Sequence, residues 1–149
     1  MRYLMIVKAT PQSERGEFPP DAEKMFAEMA EFNNEMIAAG VMLDGAGLKP
    51  SSAGKRIAFN GRGNTVVTDG PFAETKELIA GFWIINVKNE AEALSWAKRV
   101  PFDDGEIELR PYHEPEDFEG LVSDEVMEQE KGWRDDQAKK AEDARQAQA

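Results

Sequence analysis

Residues Thr68 to Glu77 read Thr-Asp-Gly-Pro-Phe-Ala-Glu-Thr-Lys-Glu, a polar cluster on a Gly-Pro turn between two apolar runs. Asp69 follows directly on the first run, and a carboxylate there has two readings. Partly desolvated beside Lys76, it takes a proton from a carbon acid or stabilises a cation. Alternatively it accepts the turn amides across Gly70 and Pro71 and needs no substrate. Gly70 and Pro71 are conformational either way, since glycine permits a close backbone approach or a positive φ and proline fixes the exit direction. Phe72 fills a core or dimer gap or stacks on a ligand. Glu74, Thr75, Lys76 and Glu77 form an ion-pair network, or else they orient a polar substrate and lower a neighbouring pKa. Thr75 would need an adjacent base to act as a nucleophile, and the single histidine, His113, lies far along the chain. The candidate set is Asp69 as the catalytic group, with Gly70, Pro71, Phe72, Glu74, Thr75, Lys76 and Glu77 as substrate contacts.

The elements that must hold this turn are legible from periodicity. Tyr3 to Val7 is a continuous apolar run, as in a central strand buried on both faces, ended by Lys8 and Thr10-Pro11. After a loop with Gly16, Pro19 and Pro20, Asp21 caps a helix to Ala39 whose Met25, Phe26, Met29, Phe32, Met36 and Ile37 form a stripe toward a sheet. A short strand is expected at Val41 to Leu43. Arg56 to Phe59 and Thr65 to Thr68 flank Asn60-Gly61-Arg62-Gly63-Asn64 and read as a hairpin that presents Asp69. Phe82 to Val87 is the next strand. Asn89 with Glu92 predicts a capping box for a helix from Glu90 to Val100, and Glu106 to Arg110 alternates like a strand with one wet face. This order predicts an α+β sheet with both helices on one face, close to a split βαβ plait. The other face stays uncovered, which predicts a homodimer.

Composition excludes several classes. A net charge of −11 repels phosphate backbones and anionic headgroups, so neither direct nucleic-acid contact nor a membrane partner is expected. With no cysteine and one histidine, disulfides and the usual zinc sites are excluded, and no cofactor or metal is implied. The N-terminal apolar run is too short for a signal peptide, and no segment approaches a membrane helix, which reads as a cytoplasmic protein. Residues 113–149 hold 12 acidic and 5 basic side chains, a net of −7. They are expected to form an acidic, largely helical extension with a docked start, a frayed end and Trp133 as anchor, serving as a partner-binding helix or as a solvated appendage.

Asp69-Gly70-Pro71-Phe72-Ala73-Glu74-Thr75-Lys76-Glu77, followed by Ile79-Ala80-Gly81-Phe82-Trp83-Ile84-Ile85, resembles the signature of the DGPF branch of the YCII-related proteins. Ala39-Gly40-Val41, Trp96-Ala97 and Glu106-Ile107-Glu108-Leu109-Arg110-Pro111 are similar to the same family. The resemblance covers residues 1–112. It implies a ferredoxin-like plait paired into a dimeric α+β barrel, with a cleft near Asp69. In the wider group an Asp works with a His from the first helix, and some relatives act on lactone-type or chlorinated aromatic-breakdown intermediates. Asp21 to Ala39 contains no histidine, so only the Asp carries over. The resemblance leaves two roles open. One is a binder of a small polar or carbonyl metabolite with weak cofactor-free isomerase, lyase or hydrolase activity. The other is a non-enzymatic regulatory module linked to sigma-factor-type transcription.

Overall fold

The chain is described by a computed structural model over residues 1–147. Strand β1 (Arg2–Lys8) pairs antiparallel with two neighbours, which makes it central. A short helix α1 (Pro11–Glu14) and a long helix α2 (Ala22–Ala38) lead to β2 (Met42–Gly47). The hairpin β3 (Lys55–Phe59) and β4 (Thr65–Asp69) follows. Then come β5 (Ile79–Asn86), α3 (Glu90–Ala97) and β6 (Ile107–Pro111). The main sheet has the order β2-β5-β1-β6 and every pairing in it is antiparallel, the ferredoxin-like arrangement of an α+β plait.

Alternation along β1 and β5 divides the sheet's two faces. Tyr3, Met5, Trp83 and Ile85 meet Phe32 and Met36 of α2 and Ala93 of α3 in one buried cluster, so both helices cover the same face. Met5, Met36 and Ile85 are fully enclosed. The indole N–H of Trp83 is satisfied by Asn33 Oδ1 at 2.8 Å, which lets a polar α2 residue sit against the core. On the opposite face Leu4 pairs with Ile84 and Ile6 with Phe82, and no helix of the core cluster packs there.

Several boundaries differ from expectation for local reasons. Thr10-Pro11 starts α1 rather than ending order, because the Thr10 and Ser13 side chains cap each other's backbone amides. β2 runs on to Gly47 because Gly45 lets Trp83 close against it: a Cβ there would meet the indole at 2.7 Å. Asp21 stands at the N-cap of α2 but makes no capping hydrogen bond. Only part of the apolar stripe of α2 reaches the core. Phe26 and Ile37 are 55% and 59% exposed, and Phe26 packs on Phe18 instead. At α3 half of the capping box forms: Asn89 Oδ1 accepts from the Glu92 amide, while Glu92 turns to the Lys88 amide. That helix stops at Ala97, three residues short of Val100.

Residues 1–112 form one compact unit and 113–149 a second. The second contains a turn at Pro115–Phe118 and helix α4 (Asp124–Ala147), with Glu130–Arg134 and Asp136–Lys140 pairs at i,i+4 spacing. Trp133, expected as an anchor, is 65% exposed. The expected frayed end falls in part on residues 148 and 149, outside the described residues. Among the described residues no helix is long and apolar enough to cross a membrane.

Candidate functional site

The hairpin forms its own two-stranded sheet, and its register places the site. A five-residue loop is closed by the Asn60 amide donating to the Asn64 carbonyl at 2.8 Å, with Gly61 and Gly63 at positive φ. Counting back from it sets Ile57 opposite Val67 and Lys55 opposite Asp69. The Lys55 ammonium pairs with Asp69 Oδ1. The expectation that Asp69 lies beside Lys76 is thus corrected, because the residue across the strand pair is the nearer cation. The turn-amide reading is also corrected: the Gly70 amide donates to the Gly54 carbonyl at 3.0 Å and the Phe72 amide to Ser51 Oγ at 3.1 Å. With side chains 63% and 74% exposed, the Lys55–Asp69 pair contributes about 1 kcal/mol or less. It is a solvated pair available to a solute.

The turn behind Asp69 is fixed from outside. Glu14 of α1 accepts from the Ser51 amide at 3.2 Å and from the Ser51 hydroxyl, and that hydroxyl oxygen in turn accepts the Phe72 amide. Three segments distant in sequence are thereby clasped. Gly70 is required by space: a Cβ there would lie 1.8 Å from the Ser51 carbonyl oxygen. The Gly70–Pro71 bond is cis. Phe72 is half-buried beneath Arg56, whose guanidinium carbon lies 3.9 Å from the ring centroid, and Arg56 Nη1 also reaches Glu74 Oε2 at 3.4 Å.

The remaining candidates separate. Thr75–Glu77 form a 3₁₀ turn leading through Leu78 into β5, with the Thr75 amide donating to the Ala73 carbonyl at 3.0 Å. Lys76 and Glu77 are exposed and, among the described residues, join no ion pair, so the expected network around Lys76 is replaced by Arg56–Glu74. His113 belongs to the second unit, where its Nδ1 lies 3.5 Å from Asp117. Where β1 leaves the sheet, the Lys8 backbone pairs with Ile79 and the Lys8 ammonium bridges Glu108 at 3.0 Å, with Arg110 on the same carboxylate. The Lys8 hydrogen bond, against partial burial and with help from Arg110, holds the Glu108 carboxyl below its ordinary value. Among the described residues no group of three or more His, Asp or Glu could hold a metal ion.

Lys55, Arg56, Glu14 and Ser51 were missed in the sequence. Lys55 and Arg56 could have been found by counting the hairpin register back from the loop. Glu14 and Ser51, 37 residues apart, leave no local pattern.

A YCII-related domain model matches residues 1–115. An uncharacterized protein of Rhizobium meliloti (strain 1021) is 33% identical over 92 residues, spanning 60% of this chain and 73% of that protein. Among solved structures, 5-chloro-2-hydroxyhydroquinone dehydrochlorinase from Burkholderia phenoliruptrix AC1100, in complex with 2,5-dihydroxybenzoquinone, is similar at a TM-score of 0.39 and 13% identity, over 76% of this chain and 94% of that one. A family model that spans the whole first unit establishes that the protein belongs to the YCII-related domain family.

Proposed function

We propose that the protein is a cytoplasmic homodimer of the DGPF type that binds a small polar or carbonyl-bearing acid beside Asp69. The observation that carries this reading is the pairing of a solvated Asp69 with Lys55 on a turn that the Glu14–Ser51 clasp holds rigid. A carboxylate and an ammonium presented together suit a solute that has both an anionic group and a polarised carbonyl. Lys55 attracts the anion, while Arg56, one residue along the strand and so on its opposite face, holds Phe72 and Glu74 and braces the turn from behind; Gly70, Pro71, Thr75, Lys76 and Glu77 shape the rim. Asp69 acts as general base only when ligand or a second subunit removes water from it, since a fully solvated carboxylate is a weak base. Chemistry at such a site is cofactor-free proton transfer of the isomerase, lyase or hydrolase kind.

Calorimetric titration of the full chain with pyruvate, oxaloacetate and acetoacetate tests this reading. Saturable heat from at least one of these acids, lost in Asp69→Asn while the melting curve stays unchanged, is expected. Saturation that Asp69→Asn leaves intact would remove Asp69 from the site. The second reading, a non-enzymatic interaction module, is favoured by Val126 and Trp133, seven residues apart on α4 and 50% and 65% exposed. It predicts that no small acid saturates the protein.

A further inference from the structure

Asn60-Gly61, at the tip of the hairpin, joins a carboxamide to a backbone nitrogen that can reach it. Of the six asparagines in the chain, Asn60 alone precedes a glycine. A side chain on the following residue crowds the approach of its nitrogen to the carboxamide carbon and restricts the backbone, and glycine does neither. The loop residues from Asn60 to Asn64 are all exposed. Gly61 has a φ of +91°, and beyond its chain neighbours nothing stands within 4 Å of the place a Cβ would take. The Asn60 amide donates to the Asn64 carbonyl at 2.8 Å, whereas among the described residues neither the Asn60 side chain nor the Gly61 amide has a hydrogen-bond partner.

Comparable positions elsewhere are engaged. Asn33, Asn86 and Asn89 accept hydrogen bonds on their side-chain oxygens from the Trp83 indole, the N-terminal ammonium and the Glu92 amide. Asp44, Asp69 and Asp104 also precede glycines. The Gly70 amide, however, donates to the Gly54 carbonyl, and the Gly45 and Gly105 amides are turned to the carboxylates of Asp44 and Asp104 at 2.8 and 2.7 Å. An ionised carboxylate, moreover, offers no leaving group where a carboxamide offers ammonia.

We infer that Asn60 is a site of spontaneous covalent modification, deamidation through a cyclic imide. The Gly61 nitrogen loses its proton to hydroxide and attacks Asn60 Cγ, and the bond from Cγ to the side-chain nitrogen breaks, releasing ammonia. One water then opens the ring. Attack at Cγ returns a normal aspartate; attack at the main-chain carbonyl breaks its bond to Gly61 and leaves an isoaspartate, with the chain running through the former side chain. No electrons are exchanged, and water is the only co-reactant. Both products add a negative charge to the hairpin tip, and isoaspartate also adds a methylene to the backbone of the loop. A two-stranded hairpin is marginal alone in water, so a longer closure loosens the ladder that sets Lys55 opposite Asp69. The inference is independent of any ligand at Asp69.

Incubation of the full chain at mildly alkaline pH, beside a synthetic peptide of residues 58–66, tests it. Peptide mass spectrometry reads the exchange of NH2 for OH, and chromatography separates the aspartyl from the isoaspartyl form. Asn60 should convert within about tenfold of the peptide's rate and at least about tenfold faster than each other asparagine. Asn60→Gln, which must close a larger ring, should slow conversion at this position about tenfold or more. Amides of β3 and β4 should exchange with deuterium about tenfold faster in the isoaspartyl protein, while Asn60→Asp, which adds the charge without the methylene, should change them less than about threefold. An Asn60 that stays intact in the folded chain while the peptide converts completely would overturn the inference. So would conversion spread evenly over the six asparagines.

Discussion

Gly70 concentrates the constraints on the site into one residue. The Ser51 carbonyl oxygen occupies the place of a Cβ, and both groups are backbone, so a side chain can be admitted only by moving one loop away from the other. Gly70→Ala should cost about 2–4 kcal/mol in urea unfolding and weaken any ligand bound at Asp69. Glu14→Ala removes the acceptor of the Ser51 hydroxyl and amide and should cost about 1–2 kcal/mol. Asp69→Asn, by contrast, should leave stability within about 1 kcal/mol, because its ion pair is solvated. Glu108 sets an acid-side dependence. Its carboxyl titrates lower in the fold than in the unfolded chain, chiefly through the Lys8 hydrogen bond. The stability it adds is therefore complete above the unfolded carboxylate value of about 4.3 and is lost as pH falls through the lower folded value. Unfolding free energies measured from pH 5 downward should fall less steeply for Glu108→Gln than for wild type.

At the scale of elements, what was legible followed from periods and counting. The central position of β1, the two helices on one face and the hairpin all came from apolar spacing and turn residues. The pairing of Lys55 with Asp69 was also present in the sequence, as a consequence of a five-residue loop, but proximity along the chain pointed to Lys76 instead. What was not legible depends on distant partners. Nothing near Glu14 announces Ser51, and nothing in β2 announces that Gly45 gives way to Trp83. The stripe of α2 shows the limit of periodicity, since six apolar residues share the helical spacing while the sheet below is wide enough to bury only some of them. Met36→Ala should therefore cost about 2–4 kcal/mol, because Met36 is fully enclosed, and Phe26→Ala about 1 kcal/mol or less. Parallel chemical melts of the two variants give the comparison.

The whole molecule divides its labour and its charge. Residues 1–112 hold all but the last three residues of the family match, the core and every residue of the candidate site, while 113–149 carry −7 of the net −11. A chain ending at Tyr112 should keep a cooperative transition within a few degrees of the full chain and should keep ligand binding, because the core cluster lies entirely within it. The central claim is that a small carbonyl acid settles beside Asp69 on a turn already fixed in place. Titrating the ¹⁵N-labelled full chain with oxaloacetate and following amide shifts tests it most directly. Saturable changes confined to residues 51–56 and 69–78, absent in Asp69→Asn, are predicted. Amides of those segments that stay unmoved up to about 20 mM acid, or that respond identically without the Asp69 carboxylate, would contradict it.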